Sequence, residues 1–204
     1  MATTTPNYGW TVPTSTDLVK DGATAIETLG DAIDASMNTA LGTKKAGMVL
    51  LNTTSFSGVA SQSVNSVFSA TYESYKILAN IIGSTTADLR MLLRASGTDA
   101  ATNYNRELLV ADGSSVTSGR ATSQTNGFFI GYLNSTYYCG SDIIMMSPFS
   151  SSATFCSANY LRTDGPQVGL NTGLHTTASS YDGFTISPAS GTMTGSISIY
   201  GFNK

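Results

Sequence analysis

Few residues in this chain are of a type and spacing that could do chemistry. The single histidine, His175, lies in a Gly/Thr-rich segment, without the neighbouring cysteines or carboxylates that a zinc site of three or four ligands needs. Cys139 and Cys156 lie in separate strand-like runs and form no CxxC pair. We therefore predict that His175 is an ordinary loop or strand residue and that both cysteines are small buried side chains. A disulfide between them stays open, because it would require an oxidising compartment.

The acidic residues also show no catalytic pattern. The thirteen Asp and Glu residues form no DxD or ExxE cluster and show no spacing typical of a glycosidase pair. The chain contains no P-loop, no GxSxG and no GxGxxG after a strand. The pairs Asp112-Gly113 and Asp182-Gly183 are turn signals. We predict no catalytic residue, no metal and no cofactor, with a small polysaccharide-cleaving enzyme as the alternative, since distant carboxylates can meet in a fold.

The composition points to a β-rich protein with a hydroxyl-rich surface. Only 11% of the 204 residues are charged, whereas 57 are Ser or Thr and 20 are Gly. The hydrophobic fraction of 41% is enough for a core, which argues against disorder. A net charge of −3 gives no electrostatic basis for binding nucleic acid or an anionic membrane. We find no membrane-spanning run and no signal pattern, and expect a protein made without export.

The elements that would position a site fall into three segments. Residues 1–16 are polar, interrupted by proline and glycine, and contain Tyr8, Trp10 and Pro13. Such a segment cannot bury its own aromatic side chains. It is either a disordered terminus or an extended docking segment whose aromatic residues anchor in another protein.

Residues 17–45 predict a helix. A heptad pattern places Val19, Ile26 and Ile33 at position a and Leu29 at position d. Because the apolar stripe is narrow, the helix must pack on something. It either packs on its own domain or forms a self-associating stalk, in which the pattern leaves a dimer and a trimeric coiled coil both open.

Residues 46–204 follow a period of two rather than 3.6. About ten short strands separated by turn-forming residues predict an antiparallel β-sandwich, jelly-roll-like, as a knob domain after the short N-terminal α-helix. The alternation is clearest at Tyr75, Ile77, Ala79 and Ile81, whereas Leu78 on the opposite face suggests a second covered side.

The order of these parts resembles a known group of proteins. Residues 8–13 (YGWTVP), 16–22 (TDLVKDG) and 26–34 (IETLGDAID) resemble the N-terminal signature of tailed-bacteriophage virion proteins, described as tail fibres, head fibres or minor structural proteins. Residues 66–77 resemble the opening of the β-domain of such proteins, and residues 195–201 resemble its last strand.

The resemblance implies a homotrimeric fibre or spike in the virion, assembled in the bacterial host cytoplasm. Its N-terminus would dock to another virion protein of the tail or capsid, and its β-domain would attach to a host cell-surface glycan. A capsid-decorating or tail component without receptor binding is the alternative. The hydroxyl-rich surface suits polar contacts with glycans, and the candidate contact residues are tyrosines near predicted turns or strand ends: Tyr104, Tyr137, Tyr138, Tyr160 and Tyr181.

Overall fold

The computed structural model describes residues 3–14, 16, 18–41, 47–162 and 167–202, and the chain divides into two compact units, residues 1–47 and residues 48–204. The described part is mainly β, with antiparallel sheets and one α-helix. The predicted segment boundaries at residues 16–17 and 45–46 each fall on or beside positions outside the described residues.

The first unit is a hairpin followed by a helix. Strand β1 (Thr3–Thr4) pairs antiparallel with β2 (Thr11–Val12), a 3-10 turn spans Val19–Asp21, and helix α1 spans Gly22–Leu41. The segment predicted to be extended therefore folds back on itself. The physical reason is local: the Thr5 N–H donates to the Trp10 carbonyl at 2.9 Å, and Gly9 adopts a positive φ of 67° in the turn.

A side-chain hydrogen bond joins the hairpin to the helix. The indole Nε1 of Trp10 donates to the Ser36 hydroxyl at 2.9 Å. Along the helical segment, Val19 is 96% exposed and Ile26 is 65% exposed, whereas Leu29, Ile33 and Ser36 are half-buried. The heptad positions are thus not equivalent within one chain, because one side of the segment packs on the hairpin.

The second unit is built from thirteen strands among the described residues. In chain order they are β3 (Met48–Val59), β4 (Gln62–Val64), β5 (Ser74–Gly83), β6 (Ala87–Ala95), β7 (Thr98–Asp99), β8 (Tyr104–Asp112), β9 (Ser115–Gln124), β10 (Phe128–Leu133), β11 (Cys139–Met146), β12 (Thr154–Arg162), β13 (Gln167–His175), β14 (Gly183–Pro188) and β15 (Met193–Phe202).

These strands form two antiparallel sheets within the described chain. The larger sheet has the order β3-β15-β5-β11-β12-β13-β8-β9, and the smaller has the order β10-β6-β14-β4, with β7 paired to β6. Several connections cross between the sheets, whereas β8–β9 and β11–β12–β13 are consecutive hairpins that widen the larger sheet.

The core lies where the two sheets share one cluster of buried side chains. In β5, Tyr75, Ile77, Ala79 and Ile81 are buried, as the alternation predicts, whereas Leu78, for which a second covered side was expected, is 39% exposed in the single chain. Residues of both sheets belong to the same buried cluster, including Ile197 of β15, Met91 of β6 and Phe184 of β14. The opposite side of the larger sheet, called here the outer face, carries exposed side chains such as Leu78 and Leu161.

Edge strand β10 of the smaller sheet packs onto the larger sheet. The Phe129 ring meets Tyr160 of β12 edge-on at 5.3 Å between centroids, and the Asn171 amide of β13 donates to the Phe129 carbonyl at 2.8 Å. Among the described residues, no helix has the length and apolarity that spanning a membrane requires.

Candidate interaction surfaces

His175 is a core residue at the end of β13. Its ring lies 4.5 Å from the Tyr104 ring and 5.2 Å from the Tyr181 ring, and its Nδ1 is 3.3 Å from the Tyr181 hydroxyl. Burial lowers the pKa of His175, and hydrogen bonds to the backbone of Thr102 and Thr177 act in the opposite direction. The imidazole is therefore neutral at pH 7 and packs between two aromatic rings.

Both cysteines are free and buried on the core side of the larger sheet. Met145 of β11 pairs with Cys156 of β12, so Cys139 lies six positions along β11 from the residue opposite Cys156. At about 3.4 Å per residue, this separates the two thiols by roughly 20 Å, too far for a disulfide. Burial raises the pKa of Cys139, and it raises the pKa of Cys156 to about 12. Neither thiol is a poised nucleophile.

Acidic and metal-ligating side chains do not gather at one place in the part of the chain that the structure describes. Within those residues, no group of three or more His, Cys, Asp or Glu side chains is arranged to hold a metal ion.

Three of the five candidate contact tyrosines are core residues, which corrects the prediction for them. Tyr104, Tyr160 and Tyr181 are 1%, 5% and 3% exposed. The Tyr104 hydroxyl accepts from the Leu93 N–H and donates to the Ala100 carbonyl, both at 2.8 Å. A tyrosine near a turn can point into the core of this unit because its ring buries apolar surface there while its hydroxyl forms hydrogen bonds with nearby backbone groups.

The other two candidates, Tyr137 and Tyr138, lie on the loop between β10 and β11 and are 51% and 48% exposed. The loop is fixed at its start by Asn134, whose side-chain oxygen accepts from the backbone N–H groups of Thr136 and Tyr137. The Asn134 carbonyl also accepts from the Gly83 N–H at 3.0 Å. Two half-exposed phenol rings are thus presented on an anchored turn.

The candidate docking residues are only partly available. Tyr8 is 71% exposed and stacks on Trp10 at 5.1 Å with an interplanar angle of 16°. Pro13 is exposed, whereas Trp10 is half-buried and its indole N–H is bonded to Ser36. The hairpin presents Tyr8 and Pro13 outward and uses Trp10 for its own packing.

The outer face of the larger sheet carries an apolar surface that the sequence analysis does not identify apart from Leu78. Six half-exposed or more exposed aliphatic residues lie on neighbouring strands and constitute what we call the leucine face: Leu78, Leu109, Val116, Leu161, Val168 and Leu170. A groove of about 460 Å³ crosses it between Leu78 and Leu161, over Gly140. The signal is weak in the sequence because β9 and β13 are rich in Ser, Thr and Gly.

No protein-family model matches this chain, and comparison with curated proteins also yields no match.

Proposed function

We propose that this chain is a structural protein of a tailed-bacteriophage virion: a homotrimeric fibre or spike, anchored by its N-terminus, whose β-domain attaches to host-surface glycan. The observation that carries the proposal is the division into a small hairpin–helix unit and a charge-poor β unit. This division agrees with the segments whose motifs resemble phage virion proteins. In this proposal the protein acts without catalysis or cofactor, in a virion assembled in the bacterial cytoplasm.

We propose further that the β unit is a jelly-roll sandwich. Support comes from eight of its strands, taken in chain order as β3, β4, β5, β6, β10, β11, β14 and β15. In the larger sheet, the strands β3, β15, β5 and β11 are neighbours in this order, and they are the first, eighth, third and sixth of the eight. In the smaller sheet, β4, β14, β6 and β10 are neighbours, and they are the second, seventh, fourth and fifth. That is the strand order of a jelly roll, an architecture common in viral capsid and lectin domains. The hairpins β8–β9 and β12–β13 would then be insertions.

The helical segment is the proposed stalk. Val19 and Ile26 expose large aliphatic side chains at successive a positions, and such a stripe is stabilised when two or three helices bury it together. Tyr8 and Pro13 would face the tail or capsid protein to which the fibre docks, while Trp10 holds the hairpin on the helix.

The loop with Tyr137 and Tyr138 is the proposed glycan contact. Half-exposed phenol rings on an anchored loop can stack on sugar rings, and their hydroxyls can both donate and accept. Trimerisation would add avidity to weak single sites. The net charge of −3 leaves nucleic acid and anionic membranes as poor partners.

Two measurements test the proposal. Mass spectrometry of purified phage particles from the source strain is expected to detect this chain, and its absence from them would contradict a virion role. On an array of bacterial polysaccharides, labelled full-length protein is expected to bind, and Tyr137→Ala with Tyr138→Ala is expected to weaken binding at least tenfold. Tyr8→Ala is the control, because it removes an even more exposed tyrosine ring from the other unit.

The burial of Tyr104, Tyr160 and Tyr181 favours one second candidate, a virion component without a receptor. It removes most of the aromatic surface on which glycan contact was predicted. The same array separates the two functions: presence in particles without binding to any polysaccharide would support the purely structural role.

A further inference from the structure

The leucine face is contiguous across four neighbouring strands of the larger sheet, β12, β13, β8 and β9, and Leu78 lies beyond β11 on the other side of the groove. Leu161 pairs with Val168, and Leu170 pairs with Leu109 in the neighbouring row. Val116 extends the first of these rows onto β9 through Ala111. Opposite pairs lie about 5 Å apart and diagonal ones about 7–8 Å apart, so these side chains form one surface.

The exposed apolar area is large for a monomer. The six side chains are between 39% and 73% exposed, which leaves on the order of 500 Å² of apolar surface, near the upper end for the largest patch on a monomeric protein. Phe155 and Met146, 53% and 46% exposed, lie on the same side of the sheet but apart from this patch, beyond Ser157 and Thr172. Stable interfaces bury about 800 Å² on each partner, of which roughly 60%, or about 480 Å², is apolar. The face is thus of the size that one protein partner covers.

Gly140 marks a place where another chain can approach closely. It lies in β11 between Asn80 and Leu161, and a Cβ added to it would meet no atom within 4 Å. Its φ is not positive, so neither backbone conformation nor packing inside this chain requires glycine there. A glycine inside a strand costs stability and often marks close approach by another backbone or a ligand.

The charges of the face fit a second copy as the partner. Lys76 is 2.9 Å from Asp142, and Arg120 is bonded to Glu107 across β8 and β9. The described charged side chains of the outer face are therefore paired within the face, which leaves it neutral. Two copies of such a face meet without like-charge repulsion, whereas a strongly charged partner would find no unpaired opposite charge on it.

We propose that copies of this chain associate through the leucine face, with Leu161 and Val168 of one copy entering the groove over Gly140 of the next. The inference rests on the self-association in the proposed function and assigns its main contact to the β unit. This contact can be repeated by two copies around a twofold axis or by three copies around a threefold axis.

The test is the mass of full-length variants measured by light scattering after gel filtration. Leu161→Lys and Val168→Lys place a charge in the proposed interface, and Gly140→Arg fills the groove from a position where a Cβ meets no atom within 4 Å. Each is expected to weaken self-association at least tenfold while circular dichroism stays unchanged. Leu50→Lys is the matched control: Leu50 is a leucine of the same sheet, 55% exposed but on edge strand β3, and its variant is expected to keep the wild-type mass.

A second readout does not depend on destabilising variants. Asn159→Cys places a thiol in the groove, and the native cysteines are buried. Its alkylation is expected to be at least tenfold slower in concentrated than in dilute protein. Folded face variants with wild-type mass, or equal alkylation at both concentrations, would overturn the inference. If Ile26→Lys then reduces the mass to that of a monomer instead, self-association occurs through the helix and the fibre proposal is retained. A wild-type monomer would contradict both.

Discussion

His175 couples the stability of the β unit to pH between about 5 and 8, where histidine is the side chain that ordinarily titrates. It is the only histidine of the chain. Burial between Tyr104 and Tyr181 lowers its pKa below the ordinary value of 6.5 in the folded state. Well above pH 6.5 the imidazole is neutral in both states and its contribution is complete. As the pH falls, the unfolded chain takes up the proton first, so stability declines until the folded pKa is passed.

We therefore expect the free energy of unfolding in urea to fall between about pH 7.5 and 5.5, by at most about 1.4 kcal/mol per pH unit. His175→Phe keeps an aromatic ring at the position and removes the titration, so its profile is expected to be flatter. A flat wild-type profile, or an unchanged slope in the variant, would contradict the burial of a neutral imidazole.

The two thiols provide a second test at single residues. Burial raises the pKa of Cys156 to about 12 and also raises that of Cys139. We expect no reaction of native protein with a thiol reagent at mildly alkaline pH and two reactive thiols per chain after denaturation without reductant. Rapid labelling of native protein would contradict the core placement, and unreactive denatured protein would indicate a disulfide.

At the scale of elements, glycine sets how closely β4 and β14 approach. A Cβ on Gly183 would lie 2.2 Å from the Val64 carbonyl oxygen and 3.0 Å from the Asn65 Cα, both backbone atoms that cannot rotate away. Gly183→Ala is expected to lower the free energy of unfolding by about 1–3 kcal/mol.

The control for that substitution lies in β9. A Cβ on Gly119 meets nothing within 4 Å, so Gly119→Ala is expected to change the free energy of unfolding by no more than about 0.5 kcal/mol. Equal effects of the two substitutions in urea titrations would show that β14 does not lie where the structure has it.

Trp10 reports on the hairpin–helix unit by itself, because it is the only tryptophan of the chain. A 20-residue helix packed on a short hairpin is marginal in water. We expect tryptophan fluorescence to change at lower urea than the circular dichroism of the sheets. Ser36→Ala removes the acceptor of the indole N–H and is expected to destabilise only this first transition, by about 1 kcal/mol. Coincident transitions in both probes would contradict independent units.

Alternating strands could be predicted from the sequence, and polar strands could not. Strand β5 stands out because every second residue is apolar and buried. Strands β9 (SVTSGRATSQ) and β13 (QVGLNTGLH) lack that pattern, since β9 has few apolar residues and glycines interrupt β13. The pairing of β13 with β8 depends on long-range register that local propensity does not contain. The leucine face was missed for the same reason.

The aromatic residues show a related limit. Tyr104 and Tyr137 both follow turn-forming residues, yet one is 1% exposed and the other 51%. Their difference comes from where the adjoining strand joins a sheet, which no local pattern encodes. Similarly, the aromatic hairpin at residues 3–12 closes through backbone bonds and a tryptophan that packs on a helix 26 positions away.

At the scale of the whole molecule, pairs of hydroxyl groups join neighbouring strands within each sheet, alongside charge pairs such as Lys76–Asp142. Thr53 and Ser198 bond across β3 and β15 at 3.2 Å, and Ser63 and Thr185 bond across β4 and β14 at 2.9 Å. Cross-strand hydroxyl pairs of this kind stabilise a sheet modestly. Some of the many hydroxyl groups thus bond to one another within the β unit. The loop with Tyr137 and Tyr138 and the leucine face are its most distinctive surfaces.

We propose that this chain acts as a self-associating fibre, and the mass of the protein in solution tests that proposal. Light scattering after gel filtration of the full-length protein is expected to give about three times 21.2 kDa. A dimer would retain the leucine-face contact and contradict the trimer. A monodisperse monomer at high concentration would contradict self-association altogether, and with it the fibre.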